Sequence, residues 1–304
     1  YAQSYSDSLT YTDAELEAAY QADPKTYDKA AWEYVVVSGA ADSTTNADGN
    51  TVQATDEEQA AAKETAKATA EEILAAYNSG KSLESIAGNY EKATYYNTTD
   101  ATYYDGVVGN WLFDDARKDG DTEILEVGTN YYVGLFHSRG REEYKTVDIR
   151  HILITPETGT KAQGDEGYED EQTQLKAAAR TKAEEILAQW KSGEATEDSF
   201  AQLAMENSAD GSKYDGGLYT RVTKGWAVEE FNDWCFDASR KDGDTGIVDT
   251  TYGSHVMYFV GYDLPAWAAS VTSDLQEKAS SEWSTALSEN ADVQQSDFGM
   301  KFVG

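Results

Sequence analysis

Three histidines and one cysteine are the side chains of this 304-residue chain best suited to chemistry near neutral pH. His151 lies in the run VDIRHILI and His255 in SHVMYFVG, both strand-like and apolar. An imidazole is costly to bury there without a partner. The two are therefore either core histidines satisfied by neighbours, or members of a working pair. A metal pair lacks further His or Cys ligands. A Ser-His-Asp hydrolase lacks a G-x-S-x-G turn. His137 follows an aromatic strand, beside Ser138-Arg139-Gly140-Arg141, and reads as a surface residue. Cys235, within Trp234-Cys235-Phe236, reads as a small core hydrophobe and, being single, forms no intramolecular disulfide.

The elements that must position the histidines occur twice. Ala70–Ala75 (AEEILA) returns as Ala183–Ala188, 113 residues later. Trp111–Thr122 (WLFDDARKDGDT) returns as Trp234–Thr245 (WCFDASRKDGDT), 123 residues later and with nine of twelve positions identical. So long a period marks duplicated domains rather than a solenoid. Ten extra residues in the second copy are expected at Gly216–Gly225. Aligning the copies sets Tyr34 opposite His151 and Tyr132 opposite His255, so only the second copy has the pair.

Each copy reads as strand, polar loop, long helix, shorter helices and strand. Thr12-Asp13-Ala14-Glu15 and Thr55-Asp56-Glu57-Glu58 are capping boxes, opening helices to about Ala22 and Ser79. Ala31–Val37 and Val147–Ile154 read as strands, and Ser38–Gln53 and Thr155–Asp170 as loops. In the second copy, helices are expected over Glu171–Ser192, Glu197–Glu206 and Ala227–Ser239, and a strand over Ser254–Gly261. From Pro265 onward, Trp267, Val271, Leu275, Ala279, Trp283 and Leu287 make one apolar helical stripe. Its expected partner is the short face of Leu16, Ala19 and Tyr20, too small to cover it all.

The net charge of −32 argues against nucleic acid and against direct binding to anionic membranes. No D-x-D-x-D-G calcium loop is present. No apolar run is long enough to cross a bilayer, and no leader precedes Tyr1, which fits a processed or trimmed form.

The second copy resembles the parvulin family of peptidyl-prolyl cis/trans isomerases. The resemblance rests on IRHILI (149–154), SFAQLAMENSAD (199–210), GGL (216–218), VEEFNDWCF (228–236) and TTYGSHVMYF (250–259), in order over Val147–Asp263. The whole chain resembles the extracytoplasmic PrsA-type foldases, in a doubled form with a degenerate first copy. The resemblance implies an α+β fold: two tandem parvulin-like domains, each a small antiparallel sheet with flanking helices, plus a helical lobe from the N- and C-terminal segments. The expected divisions are 1–30, 31–144, 147–263 and 264–304. His151, Asp210, Thr250 and His255 are the implied catalytic set. Leu218, Trp226, Ala227 and Phe231 are the implied substrate-binding set, with Ala227 where the family usually has Met. No cofactor is implied. The implied partners are unfolded or partly folded secreted polypeptides containing X-Pro bonds. The implied location is outside the cytoplasmic membrane of a Gram-positive bacterium, anchored through a segment not in this chain. The acidic loop 155–170 speaks against phospho-Ser/Thr-Pro specificity. The alternatives are a non-catalytic peptide-binding chaperone and a purely structural ectodomain.

Overall fold

The chain splits into two compact units, one within Asp7–Glu142 and one running from Glu143 and joined by Tyr5 and Ser6. This is the organisation of a computed structural model that describes residues 5, 6 and 8–290. Residues 291–304 of the expected C-terminal segment lie outside the described residues.

In the first unit, Thr12 caps α1 (Asp13–Ala22): its hydroxyl accepts from the Glu15 amide at 3.3 Å and the Glu15 carboxylate accepts from the Thr12 amide at 2.8 Å. A turn of helix, α2 (Pro24–Tyr27), leads into β1 (Lys29–Val37). The stretch expected to be loop holds a small hairpin of β2 (Thr44–Thr45) and β3 (Thr51–Val52), exposed on both strands. Then come α3 (Asp56–Asn78), α4 (Leu83–Ala87), β4 (Ala93–Ala101), α5 (Val107–Leu112), β5 (Thr122–Val127) and β6 (Asn130–Gly140). The sheet is antiparallel in the order β4-β1-β6-β5. Val35, Val37 and Val133 pack on Ala66, Ala70 and Ile73 of α3, while Trp32 packs on Trp111 and Leu112 of α5. Alternation along the strands sends successive side chains to these two opposite layers.

The second unit repeats the plan with β7 (Lys145–Ile154), α6 (Tyr168–Ser192), α7 (Glu197–Asn207), a 3₁₀ turn (Gly211–Asp215), β8 (Leu218–Val222), α8 (Glu229–Cys235), β9 (Thr245–Thr250) and β10 (Gly253–Pro265). Its sheet order is β8-β7-β10-β9, the same topology with β7 for β1 and β10 for β6. Ile152 and Val256 face Ala183, Ile186 and Trp190 of α6, while Ile149, Met257 and Phe259 face Phe231 and Cys235 of α8. Helix α8 stops at Cys235 rather than running to Ser239. There the Asp237 side chain accepts from the Ser239 amide at 2.9 Å and closes a turn that competes with the helix.

The repeat is reproduced atom by atom around its tryptophans. Arg117 Nε donates to the Trp111 carbonyl at 3.1 Å with its guanidinium 4.5 Å from the indole. Arg240 Nε donates to the Trp234 carbonyl at 3.1 Å, at 4.1 Å from that ring.

Helix α9 (Ala266–Asn290) belongs to the second unit, where Trp267 donates to Glu143 at 3.2 Å and Val271 is buried. Further along the stripe, the half-buried Trp283 stacks on Tyr5 at 5.4 Å, and Leu287 is exposed. Helix α1 belongs to the first unit, where the Tyr20 hydroxyl donates to Asp28 at 2.7 Å and the Arg141 guanidinium lies 4.9 Å from its ring.

Candidate functional site

β7 and β10 are hydrogen-bonded neighbours with His151 opposite Met257 and Leu153 opposite His255. That register puts the two imidazoles diagonally on one face, beneath α8. Both are buried, with Nδ1 of one 3.1 Å from Nδ1 of the other and the rings stacked at 5.3 Å. Phe231 meets both rings edge-on, at 5.5 Å from His151 and 5.3 Å from His255.

Each outer nitrogen has a partner. Nε2 of His255 is 2.9 Å from the Thr250 hydroxyl, and Nε2 of His151 is 3.3 Å from both Asp210 Oδ1 and Ser212 Oγ. Asp210 is held by neutral donors: the Ser212 amide at 2.8 Å, the Ser212 hydroxyl at 2.5 Å and the Tyr219 hydroxyl at 2.9 Å. Burial alone would push its carboxyl up. The donors from Ser212 and Tyr219, with His151 beside it, outweigh burial and hold it well below the usual carboxylate range. Asp210 is therefore an anion that accepts from His151 Nε2. His151 Nδ1 then accepts from His255 Nδ1, and His255 Nε2 accepts from Thr250. One direction of donation satisfies the whole chain with both rings neutral. Burial favours the same state, lowering the pKa of His151 and taking that of His255 down to about 4, with His151 adding to the effect on His255.

The turn carrying Asp210 and Ser212 is fixed at both ends. Ser208 Oγ accepts from the Leu153 amide at 3.0 Å and the Asp210 amide at 3.2 Å. Arg150 grips the carbonyls of Asp215 and Gly216 at 2.9 and 3.0 Å while its Nε holds Glu197 at 2.9 Å. The carbonyl of Gly217 accepts from the His151 amide at 2.9 Å. Gly217 has φ +76°, and a Cβ there would collide with the His151 carbonyl, so glycine is required.

A cleft of about 470 Å³ opens over the histidines, lined by His151, Asp210, Tyr219, Gly225, Trp226, Ala227, Val228, Phe231, Tyr252 and His255. The expected residues His151, Asp210, His255, Trp226, Ala227 and Phe231 thus come together. Thr250 stands behind His255 rather than in the cleft. Leu218 does not line it; its neighbour Tyr219 does, because successive strand residues face opposite ways. Ser212, Tyr219 and Tyr252 were not anticipated. Ser212 follows a carboxylate at Asx-turn spacing, and Tyr219 lies one strand position from Leu218, so the sequence carries a signal for both. His137 lies in the first unit with Nε2 3.0 Å from Glu33. Cys235 is buried, its thiol pushed up to about 12 by burial. Among the described residues no group of three His, Cys, Asp or Glu could hold a metal ion.

The first unit has the same strands but not the site. Tyr34 and Tyr132 replace the histidines and stack at 5.7 Å, with Tyr96 on Tyr34 at 5.0 Å. Tyr34 pairs with Tyr96, and the His151 amide donates to the carbonyl of the matching residue Gly217, 121 residues on, one step beyond the Arg150–Leu218 pair. Eight of the ten extra residues therefore precede Gly217 rather than lying at Gly216–Gly225. The first unit lacks the whole acid-bearing turn, not merely the imidazoles.

The second unit is thus a four-stranded antiparallel sheet flanked by helices, with paired histidines under a cleft rimmed by aromatic rings, and similarity places it among parvulin-like domains. Residues 133–260 match the family described as the PPIC-type PPIase domain. The chain is 29% identical over 142 residues to foldase protein PrsA 1 of Listeria innocua serovar 6a, spanning 45% of this chain but only 39% of that protein. Solved structures similar to it include PrsA from Bacillus subtilis, at 23% identity over 50% of this chain and 52% of that one, with a TM-score of 0.33. They also include the parvulin of Nitrosopumilus maritimus, at 25% identity over 39% and 98%, with a TM-score of 0.27. The chain is PrsA-like and carries a PPIC-type peptidyl-prolyl isomerase domain. No described helix is long and apolar enough to cross a membrane.

Proposed function

We propose that the second unit catalyses cis/trans isomerisation of X-Pro peptide bonds in unfolded or partly folded secreted polypeptides. The observation that carries this reading is the neutral His151–His255 pair, closed by Phe231 and anchored by anionic Asp210, as the floor of an otherwise aromatic cleft. The reaction needs no covalent intermediate. A peptide bond turns over a barrier of roughly 20 kcal/mol because conjugation must be broken. The cleft has an apolar wall, Phe231 with Ala227 and Tyr219, to hold the proline ring. Polar atoms of the floor face the amide as it twists. Tighter binding of the twisted amide than of either planar form is the whole of the catalysis.

The first unit, with tyrosines stacked where the histidines would be and no acid-bearing turn, is a non-catalytic module. Similarity to a foldase supports action on client chains, which we place outside the cytoplasmic membrane, with anchoring by a segment beyond this sequence. The acidic 155–170 loop sets the preference against phosphorylated clients. The test is proline-limited refolding of an unrelated protein, followed with and without the chain. Acceleration at substoichiometric chain supports the isomerase. Suppressed aggregation without acceleration moves the reading to a peptide-binding chaperone.

A further inference from the structure

We propose that the cleft selects clients with a lysine or arginine immediately before the proline. This inference rests on the isomerase reading and names the substrate class that the site favours.

The starting point is an unbalanced charge. Asp210 is anionic, and the atoms it touches belong to Ser212, Tyr219 and a neutral His151, so it has no cationic partner in the site. Four cations of the surrounding elements are engaged elsewhere, Arg221 of β8 among them, with its guanidinium donating to Gln276 at 3.4 Å. Arg150 of β7 binds Glu197 and two carbonyls, and the Lys213 ammonium sits 5.3 Å from the ring of Tyr214. The Lys224 ammonium lies 4.7 Å from the Tyr144 ring and 5.9 Å from that of Phe236. On the next helix, Glu229 and Glu230 follow the cleft residue Val228 and add to the negative field.

The second element is aromatic. Tyr219 and Trp226 lie 4.7 Å apart, Trp226 and Phe231 6.3 Å apart, and Tyr252 lines the same cleft. Trp226 is 50% exposed and Tyr252 63% exposed, so both stand at the rim rather than in the core. An indole and phenol face beside a carboxylate is the environment that attracts an alkylammonium or guanidinium. The aliphatic stem of Lys or Arg lies along such rings while its head reaches the anion. Asp210 adjoins His151, over which the X-Pro amide turns, so the residue within its reach is the one that supplies the amide carbonyl.

The probe is a tetrapeptide series, Lys-Pro, Ala-Pro and Glu-Pro at the varied position, with exchange rates read by NMR on the whole chain. The expected order is Lys-Pro, then Ala-Pro, then Glu-Pro. A KM about fivefold or more lower for Lys-Pro than for Ala-Pro is expected. The KM advantage of Lys-Pro over Ala-Pro should shrink at high salt and in Trp226→Leu, which keeps an apolar wall but loses the indole face. Equal KM values for Lys-Pro and Ala-Pro in the unmodified chain overturn the inference and leave the isomerase reading standing. Failure to accelerate any peptide of the series overturns the isomerase reading itself.

Discussion

The Nδ1 atoms of His151 and His255 face each other at 3.1 Å across two hydrogen-bonded strands, with their rings 17° from parallel. Their counterparts Tyr34 and Tyr132 keep almost the same stack, 16° from parallel. The scaffold therefore tolerates two ring chemistries at one place. What separates the units is the turn that brings Asp210 and Ser212 to the outer nitrogen.

Replacing His255 by Ala removes the donor to His151 Nδ1 and leaves a buried nitrogen unpaired. A loss of about 1–3 kcal/mol in stability is expected. Isomerisation should slow by about tenfold or more, the factor for about 1.4 kcal/mol of lost transition-state stabilisation. Urea unfolding and peptide exchange measured on the same preparation check both.

Asp210→Asn exchanges the carboxylate that accepts from His151 Nε2 for a neutral amide, a weaker acceptor whose NH2 can instead donate to that nitrogen. The imidazole can then adopt the other tautomer, and the donation chain from Thr250 loses its direction. A drop of about tenfold in kcat is expected, since hydrogen bonds to charged groups contribute about 1.5–3 kcal/mol. Nitrogen-15 chemical shifts of the His151 ring, which distinguish the tautomers, should change in the same variant. Unchanged shifts would contradict the orienting role.

Both histidines have folded-state pKa values below the ordinary 6.5, His255 at about 4, chiefly through burial. A base that resists protonation when folded makes the unfolded state the stronger proton binder. For His255 the stability it contributes is thus full above 6.5 and lost as pH falls from 6.5 toward 4, at up to about 1.4 kcal/mol per pH unit, and His151 acts in the same direction. Activity should be level above pH 6.5 and fall below about 5. The difference in urea midpoint between the native chain and a His151→Phe, His255→Phe double variant, followed from pH 7 to 4, isolates the effect. A difference that does not change with pH would refute it.

Gly217→Ala forces a side chain into the His151 carbonyl at a positive φ. A cost of about 1–3 kcal/mol is expected for holding a non-glycine residue there. The turn should loosen with it, so isomerisation falls along with the melting temperature. Full activity with a native melting temperature would show that the close approach is not needed.

Much of this was legible in the chain. A repeated hexapeptide and a twelve-residue segment that matches at nine positions disclose the duplication, while the two histidines in apolar strands become a pair through the family resemblance. That they share a face follows from the register of β7 on β10, which the sequence alone does not carry and the resemblance implied. The wall residue was harder: Leu218 and Tyr219 differ by one position, and a one-residue slip in a strand exchanges faces. The extra residues lie mostly before Gly217, not at Gly216–Gly225, for a similar reason. Anchor matches bound an insertion but do not say where pairing resumes, and here it resumes at Gly217. Ser212 carries an Asx-turn signal, but the grip of Arg150 on the carbonyls of Asp215 and Gly216, which holds that 3₁₀ turn, is a tertiary contact with no local signal.

The central claim is that the His151–His255 cleft isomerises prolyl bonds. Two-dimensional NMR exchange on an Ala-Pro tetrapeptide, with the whole chain at catalytic concentration, tests it most directly. The account predicts cis/trans exchange cross-peaks that are absent without the chain and are strongly weakened by His255→Ala in protein that remains folded. Exchange no faster than that of the free peptide, with native and correctly folded chain, would contradict it.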